Sequence, residues 1–255
     1  MYVYGSKDRL FINTTLGCRS RCSYCYLPSL DYELGASNLM IKDSDYVIGM
    51  VESRSDFIQG KKGTIISLGC YSECWDEPVR ESTVALITYF LRKGNPVQFA
   101  TKRYVACEDI EQVSKLISWR GQLSIFISST TLTKWNSIER GTDSPDIRFR
   151  SFDLTKKTGV PVYLYIKPII KSVTISDLNK YVDIVKNKDV SGVIIGSKFI
   201  MSNESNNNKL APISNGKLKY SKKSKEEEYM YMTFSQKVLT FTESVQAIDY
   251  WRNYA

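Results

Sequence analysis

Three thiols lie within eight residues of the sequence, at Cys18, Cys22 and Cys25 in the stretch GCRSRCSYCYLP. A disulfide takes two cysteines and a structural zinc site usually takes four. Three at C-x3-C-x2-C spacing is the count for a metal centre with one coordination position left open. Three thiolates can hold three irons of a cubic [4Fe-4S] cluster and leave the fourth iron for a substrate or cofactor. Zinc is the competing reading. Its fourth thiolate could come from Cys70, Cys74 or Cys107, and CYSEC (70–74) supplies a second C-x3-C pair. The three clustered cysteines sit among Arg, Ser and Tyr, which sets them apart from inert cysteines on an apolar face.

The composition removes other chemistries. The 255 residues contain no histidine, which excludes Ser-His-Asp and Cys-His nucleophilic catalysis, HExxH zinc sites and every mechanism with an imidazole base. A metal here must be held by cysteine, carboxylate or a ligand it brings with it. Apolar residues make up 42% of the chain, enough for a core in one domain. No apolar run approaches the ~20 residues of a membrane span. The start, MYVYGSKDRLFINTT, lacks the basic-then-apolar pattern of a signal peptide. A cytoplasmic protein with reduced thiols is the expectation, and in that setting clustered cysteines are more often metal ligands than disulfides. The net charge of +8 suits a polyanionic partner, nucleic acid above all. Abundant Lys, Asn, Ile and Tyr would give the same balance without one.

The elements that must position these residues alternate regularly. Short apolar runs at 9–15, 64–69, 96–102, 122–129, 161–168 and 191–197 read as strands. Helix-like stretches separate them. DEPVRESTVALITYFLRKG has Pro78 in its first turn and Gly94 as a C-terminal cap. In SPDIRFRSFDLTKKTG, Ser144 and Pro145 open a helix and Gly159 closes it. SDLNKYVDIVKNK has Ser176 as its expected N-cap. Alternating strands and helices imply βαβ units and a parallel sheet. Each run ends in polar or small residues: Thr14-Thr15, Cys70 to Glu73, Thr101-Lys102, Ser128 to Thr130, Lys167, and Ser197-Lys198. Six polar strand ends facing one opening favour a partial (β/α)6 TIM-type barrel over residues 1–200, with its chemistry at the carboxyl ends of the strands. No Gly-rich phosphate loop follows the first strand. Residues 201–255 read as a C-terminal extension that packs on or closes the barrel. It comprises a lysine-rich loop, with lysines at 209, 217, 219, 222, 223 and 225 around Tyr220, and a closing helix. Such a run is either a solvated surface or a set of phosphate contacts.

C-x3-C-x-aromatic-C after a first strand, in a chain of six β/α units, resembles the radical S-adenosylmethionine (SAM) superfamily. The stretches at 17–28, 70–102, 127–131 and 144–170 resemble its spore photoproduct lyase-like group. The resemblance implies that Cys18, Cys22 and Cys25 hold a [4Fe-4S] cluster and that Tyr24 lies against the adenine of SAM. It puts Ser72 and Glu73 near the methionine amino group, and Lys102 with Ser128 or Ser129 along the cofactor. It implies a flavodoxin or ferredoxin as electron donor, and reductive cleavage of SAM to a 5′-deoxyadenosyl radical that takes hydrogen from substrate. Cys70 matches the cysteine that returns a hydrogen atom to the product radical; the alternative is an ordinary small residue at a strand end. Lys167 departs from the group, which usually has an apolar or small residue there. It either reaches substrate or snorkels to the rim. The expected substrate is a nucleic acid or nucleotide in a lyase- or DNA-repair-like reaction. The alternatives are modification of a ribosomal peptide, and a non-catalytic, metal-stabilised nucleic-acid-binding module.

Overall fold

The computed structural model describes residues 1–204, 209–214 and 216–254. All six predicted strands form, bracketed by helices: β1 (Val3–Ser6), β2 (Arg9–Ile12), α1 (Ser44–Glu52), β3 (Ile65–Leu68), α2 (Arg80–Arg92), β4 (Val97–Thr101), α3 (Cys107–Ser114), β5 (Leu123–Ser128), α4 (Asp153–Thr158), β6 (Val162–Ile166), α5 (Leu178–Asn187) and β7 (Val193–Ile195). Beyond them lie a two-stranded ribbon of β8 (Phe199–Met201) and β9 (Leu218–Tyr220), then α6 (Lys225–Ser235), β10 (Thr240–Phe241) and α7 (Ser244–Tyr254). Among the described residues the main sheet has eight strands in the order β1-β2-β3-β4-β5-β6-β7-β10. Every neighbour pair is parallel except the β1–β2 hairpin.

This order never reverses. A doubly wound sheet has a switch point where the order turns back; here each crossover advances one strand, so right-handed connections lay the helices on one face. The two-residue period of the strands then separates two surfaces. Leu10, Ile12, Ile66, Val97, Phe99, Ile125, Ile127, Val162 and Leu164 pack beneath Val47, Leu86, Phe90, Ile110, Phe152, Tyr181 and Phe234 of the helical layer in one continuous core. The alternate residues face the other way. Phe11 stands opposite Ser67, Ser67 opposite Gln98, and Gln98 opposite Ser124; Ser128 stands opposite Tyr165. One face of the sheet is hydrocarbon. The other is a mixed polar and aromatic surface, the composition of a binding wall.

The chain after residue 200 is woven into this sheet. β10 pairs in parallel with β7, and α7 packs Ala247 onto Phe126, Tyr163 and Ile194 of the inner face. Trp251 Nε1 donates to the Tyr163 hydroxyl (2.6 Å) and Arg252 to the Gly63 carbonyl (2.7 Å). The single closing helix read from the sequence is therefore a helix-strand-helix unit. Part of the lysine-rich loop is β9, paired with β8; residues 205–208 and 215 fall outside the described residues.

The helix signals hold with one exception. Pro78 lies in a short 3-10 turn leading into α2. The Ser144 side chain accepts the Ile147 amide, and Gly159 ends α4 in the left-handed region at φ 74°. Ser176 is not the N-cap of α5: that position belongs to Asp177, whose carboxylate turns away from its own helix. Asp177 accepts from the hydroxyls and amides of the loop after β5, namely Thr131 Oγ1 (2.7 Å), Leu132 N (2.7 Å), Thr133 N (3.1 Å) and Thr133 Oγ1 (2.8 Å). Burial alone would raise its pKa; the hydrogen bonds outweigh burial and hold the carboxyl below its usual range. Asp177→Asn keeps the size but turns one of the two acceptor oxygens into a donor, and is expected to cost about 1–3 kcal/mol in urea unfolding at neutral pH. Because the folded value is lowered, this stabilisation is present above the ordinary carboxyl pKa of ~3.9. The gap between wild type and variant should close as pH falls through and below that range.

Candidate active site

The polar strand ends meet in a cavity of about 230 Å³ lined by Cys18, Cys22, Cys25 and Cys70, together with Tyr24, Ser72, Glu73, Lys102 and Ser128. The sequence-predicted residues are thus assembled, except Ser129. Consecutive strand residues face opposite ways, and while Ser128 points into the cavity, Ser129 lies on the helical side. There its hydroxyl donates to the Thr131 carbonyl and its carbonyl accepts from Tyr181 of α5 (3.0 Å). Ser129 is a structural residue, which corrects the expectation that it lines the cofactor site.

The ends of the cysteine loop pack through Leu16, Tyr26 and Leu27 in an apolar cluster, and polar pins hold the rest. Cys18 is fixed by backbone bonds to the 33–36 segment, from its own amide to the Glu33 carbonyl and from Gly35 N to its carbonyl. Arg21–Cys22 pairs antiparallel with Glu139–Arg140, and the Ser20 hydroxyl donates to Gly141 O (3.0 Å). Cys25 N closes a turn onto Cys22 O (3.1 Å). Arg19 and Arg103 both reach the carboxylate of Asp76, at 3.4 and 3.1 Å, joining the loop to the ends of β3 and β4.

Beneath the loop lies a fully buried ion pair. Arg148 Nη2 meets Glu139 Oε2 at 2.7 Å, and neither side chain is exposed. Glu139 also accepts from the Tyr24 hydroxyl (2.6 Å) and the Thr130 amide (3.0 Å), while Arg148 donates to the Ser128 carbonyl. Burial works to raise the Glu139 pKa, but Arg148, then Lys102, Tyr24 and Thr130, outweigh it and keep the carboxylate ionised. Glu139 and Arg148 were not legible as site residues. Glu139 stands in a polar stretch, and Arg148 looks like the charged face of a helix.

The donor set suits an iron-sulfur cluster. All six cysteines are free. Burial pushes the thiol of Cys18 up to about 12 and that of Cys22 to about 11, and raises Cys25 as well, so these sulfurs become thiolates only against a cationic ligand. Backbone amides already point at them, from Ser20 to Cys18 Sγ (3.4 Å) and from Leu27 and Tyr26 to Cys25. Such N–H···S bonds tune cluster thiolates. Among the described residues no three Cys, Asp or Glu side chains converge as ligands of one ion, whereas a cubic cluster takes its thiolates on separate irons. The fourth thiolate that zinc would need is not supplied by Cys74 or Cys107. Both pack against the hydrocarbon core, Cys74 beneath the Gly69 backbone, and neither lines the cavity.

The rest of the wall suits a polar cofactor. Ser72 Oγ is buried without a hydrogen-bond partner, an orphan that a ligand group would satisfy. Glu73 is aimed by Thr101 Oγ1 (2.5 Å), Trp75 N (3.2 Å) and Lys102 N (2.9 Å). The Lys102 ammonium stands 5.6 Å from the centre of the Tyr24 ring. Burial opposes its charge, but Cys22, Glu139 and Glu73 outweigh burial and hold its pKa above the ordinary value. Cys70 shares a cluster with Phe11, Leu16, Cys18 and Cys25; burial raises its thiol to about 11, and its carbonyl accepts the Tyr26 hydroxyl.

No family model and no curated sequence matches the chain. Solved structures do. Spore photoproduct lyase in complex with a dinucleoside spore photoproduct superposes with a TM-score of 0.60 at 15% identity, over 90% of this chain and 75% of that one. SuiB of Streptococcus suis bound to S-adenosylmethionine superposes with a TM-score of 0.61 at 12% identity, over 93% of this chain and 50% of SuiB. SuiB bound to its precursor peptide SuiA gives 0.61 at 12%, over 95% and 50%. The chain shares the fold of these proteins and spans about half of SuiB.

The buried pair sets a stability test. Glu139→Gln leaves Arg148 uncompensated and is expected to cost about 3–5 kcal/mol. Combining it with Arg148→Met should recover part of that loss, a coupling that a double-mutant cycle in urea reads directly.

Proposed function

We propose that this chain is a radical SAM enzyme of the spore photoproduct lyase-like group, built on an incomplete (β/α) barrel and acting on a nucleic acid or nucleotide. The observation that carries the reading is the convergence of three cysteines, two of them amide-supported, the orphaned Ser72 hydroxyl and the Lys102–Tyr24 pair in one cavity at the carboxyl ends of parallel strands. Cys18, Cys22 and Cys25 would hold a [4Fe-4S] cluster, with SAM as its further ligand. When bound, these groups supply an electron and a 5′-deoxyadenosyl radical for hydrogen abstraction.

The chain's own residues do the rest. Tyr24, its hydroxyl held by Glu139, presents a fixed ring face for the adenine. Ser72 and Glu73 accept from the methionine ammonium, and Lys102 meets the carboxylate. Ser128 offers a hydroxyl to the ribose. Apolar neighbours such as Phe11, Leu27 and Ile213 keep water from the reacting centre. Cys70, a neutral thiol in that lining, gives its S–H hydrogen to the product radical. No step needs an imidazole, which agrees with a chain that has none. The expected reductant is a flavodoxin or ferredoxin. Among the described residues no helix is long and apolar enough to cross a membrane.

The substrate class rests on the basic and aromatic part of the lining, where Arg9, Lys167 and Lys198 stand with Tyr165, Phe199 and Tyr220. That pairing suits phosphates and bases. The peptide reading draws on the likeness to SuiB alone.

Anaerobically reconstituted protein is expected to be brown with about four irons, and to lose colour and iron when Cys18, Cys22 and Cys25 become alanine. With dithionite and SAM it should release 5′-deoxyadenosine, and faster with oligonucleotide than with peptide. Colourless, zinc-containing protein would reject the reading. Cys70→Ala should still cleave SAM but yield altered by-products from an unquenched product radical; clean product from that variant would remove Cys70 from the mechanism.

A further inference from the structure

The part of the cavity that the cofactor residues leave free is built around Lys167. This side chain leaves the end of β6, and its ammonium lies 4.7 Å from the centre of the Tyr220 ring and 5.2 Å from that of Phe199. Its stem passes over Gly196, where an added Cβ would come within 3.0 Å of Lys167 Cδ. A side chain at 196 would make the lysine stem give way by a few tenths of an ångström, so the glycine leaves it room to lie flat. Simple snorkelling to solvent needs no such cradle.

Its charge is answered only in part by the protein. Glu227 and Glu243 attract it, but Glu227 is engaged by Ser197 Oγ (2.7 Å) and Glu243 by Lys209 Nζ (2.6 Å). Lys167 forms no ion pair with a described carboxylate. A second cation lines the same cavity, also without one. Arg9 donates to Ser67 Oγ (2.7 Å) and Ser244 Oγ (3.5 Å) and lies 4.6 Å from the Phe11 ring centre, and it repels Lys167. Burial, with Arg9, lowers Lys167 to about 8 against the pull of Glu243 and Glu227, which leaves it charged at neutral pH. Glu243 lines the same cavity but is itself paired with Lys209, so the two cations leave positive charge in excess there, and an anionic ligand group offsets the cost for both. The rings beside the ammonium, Phe199 and Tyr220 at 5.0 Å and 63° to each other, flank that anion with surfaces on which a base can stack. The cavity also adjoins a groove lined by Lys209, Lys222 and Lys223, and shares Ser197, Tyr220 and Glu243 with it. A single carboxylate would need no such continuation, but a phosphodiester chain would use it.

We propose that Lys167, assisted by Arg9, is a phosphate-binding residue for the substrate. It holds a phosphodiester of a nucleic-acid strand beside Phe199 and Tyr220, and the strand runs on along the lysine groove. This assignment rests on reading the cavity as a substrate site.

The test is binding, read by fluorescence anisotropy on anaerobic holoprotein. It uses one short single-stranded oligonucleotide with phosphodiester linkages and one with neutral methylphosphonate linkages. Wild type is expected to prefer the phosphodiester strand by at least about tenfold. Lys167→Met should lose most of that preference and Lys167→Arg should keep it, and the ratio is insensitive to partial misfolding. An unchanged ratio in Lys167→Met overturns the proposal. So does a wild type that binds neither strand or both equally, and so does Lys167-dependent binding of an acidic peptide in their place. Cluster absorbance and SAM cleavage without any oligonucleotide, both measured on wild type, report the enzyme reading separately.

Discussion

The buried Glu139–Arg148 pair is the constraint on which the site is assembled. Removing two charges from water costs several kcal/mol per ion, and the attraction between them rarely repays this unaided. Here three further hydrogen-bonding groups share the load, each from a part of the site: the Tyr24 hydroxyl, the Thr130 amide and the Ser128 carbonyl; the Glu139–Arg140 backbone in turn pairs with Arg21–Cys22. Leu16, Tyr26 and Leu27 anchor the ends of the cysteine loop in an apolar cluster. The charge pair fixes its middle, because displacing Tyr24 would add an unmet acceptor to a dry environment in which Arg148 Nε already lacks a partner.

The large elements were legible because they follow from local rules. Six short apolar runs became six neighbouring strands in chain order, and their two-residue period explains why the same strands bear a hydrocarbon face and a cavity face. That period also decides between Ser128 and Ser129, which a motif treats as equivalent and the pleat does not. The three cysteines, Cys70 and Lys102 were visible because their types and strand-end positions carry chemical meaning. Glu139, Arg148 and Asp177 were not. They act across 9 to 115 residues of chain on partners in other elements, and no spacing rule reaches that far. The small strand β10 was hidden for a related reason: two residues have no period, and it forms only because β7 offers an open edge.

Four cysteines share one cavity, yet their surroundings divide them. Cys18 and Cys25 receive backbone N–H groups, and Cys22 lies near the Lys102 ammonium; each has something that favours charge on sulfur once a cation is present. Cys70 belongs to the same apolar cluster as Cys18 and Cys25, and burial raises its thiol too. What separates it from the proposed ligands is local: the amides aimed at Cys18 and Cys25 and the ammonium beside Cys22.

Positive charge is divided in the same manner. Lys102 lies within the field of Glu73, Glu139 and Cys22, so its charge is neutralised mainly by the protein and by whatever the cysteines hold. At Lys167 burial, with Arg9 and Lys209, outweighs the pull of Glu243 and Glu227, and its pKa falls rather than rises; α7 brings Ser244 to Arg9 and packs on the inner face. Ser244 of α7 and Phe199 and Tyr220 of the β8–β9 ribbon line the cavity beside these two cations. Ordering the charges in this way lets one cavity hold two anionic groups without their competing for the same lysine: a cofactor carboxylate at Lys102 and a substrate phosphate at Lys167.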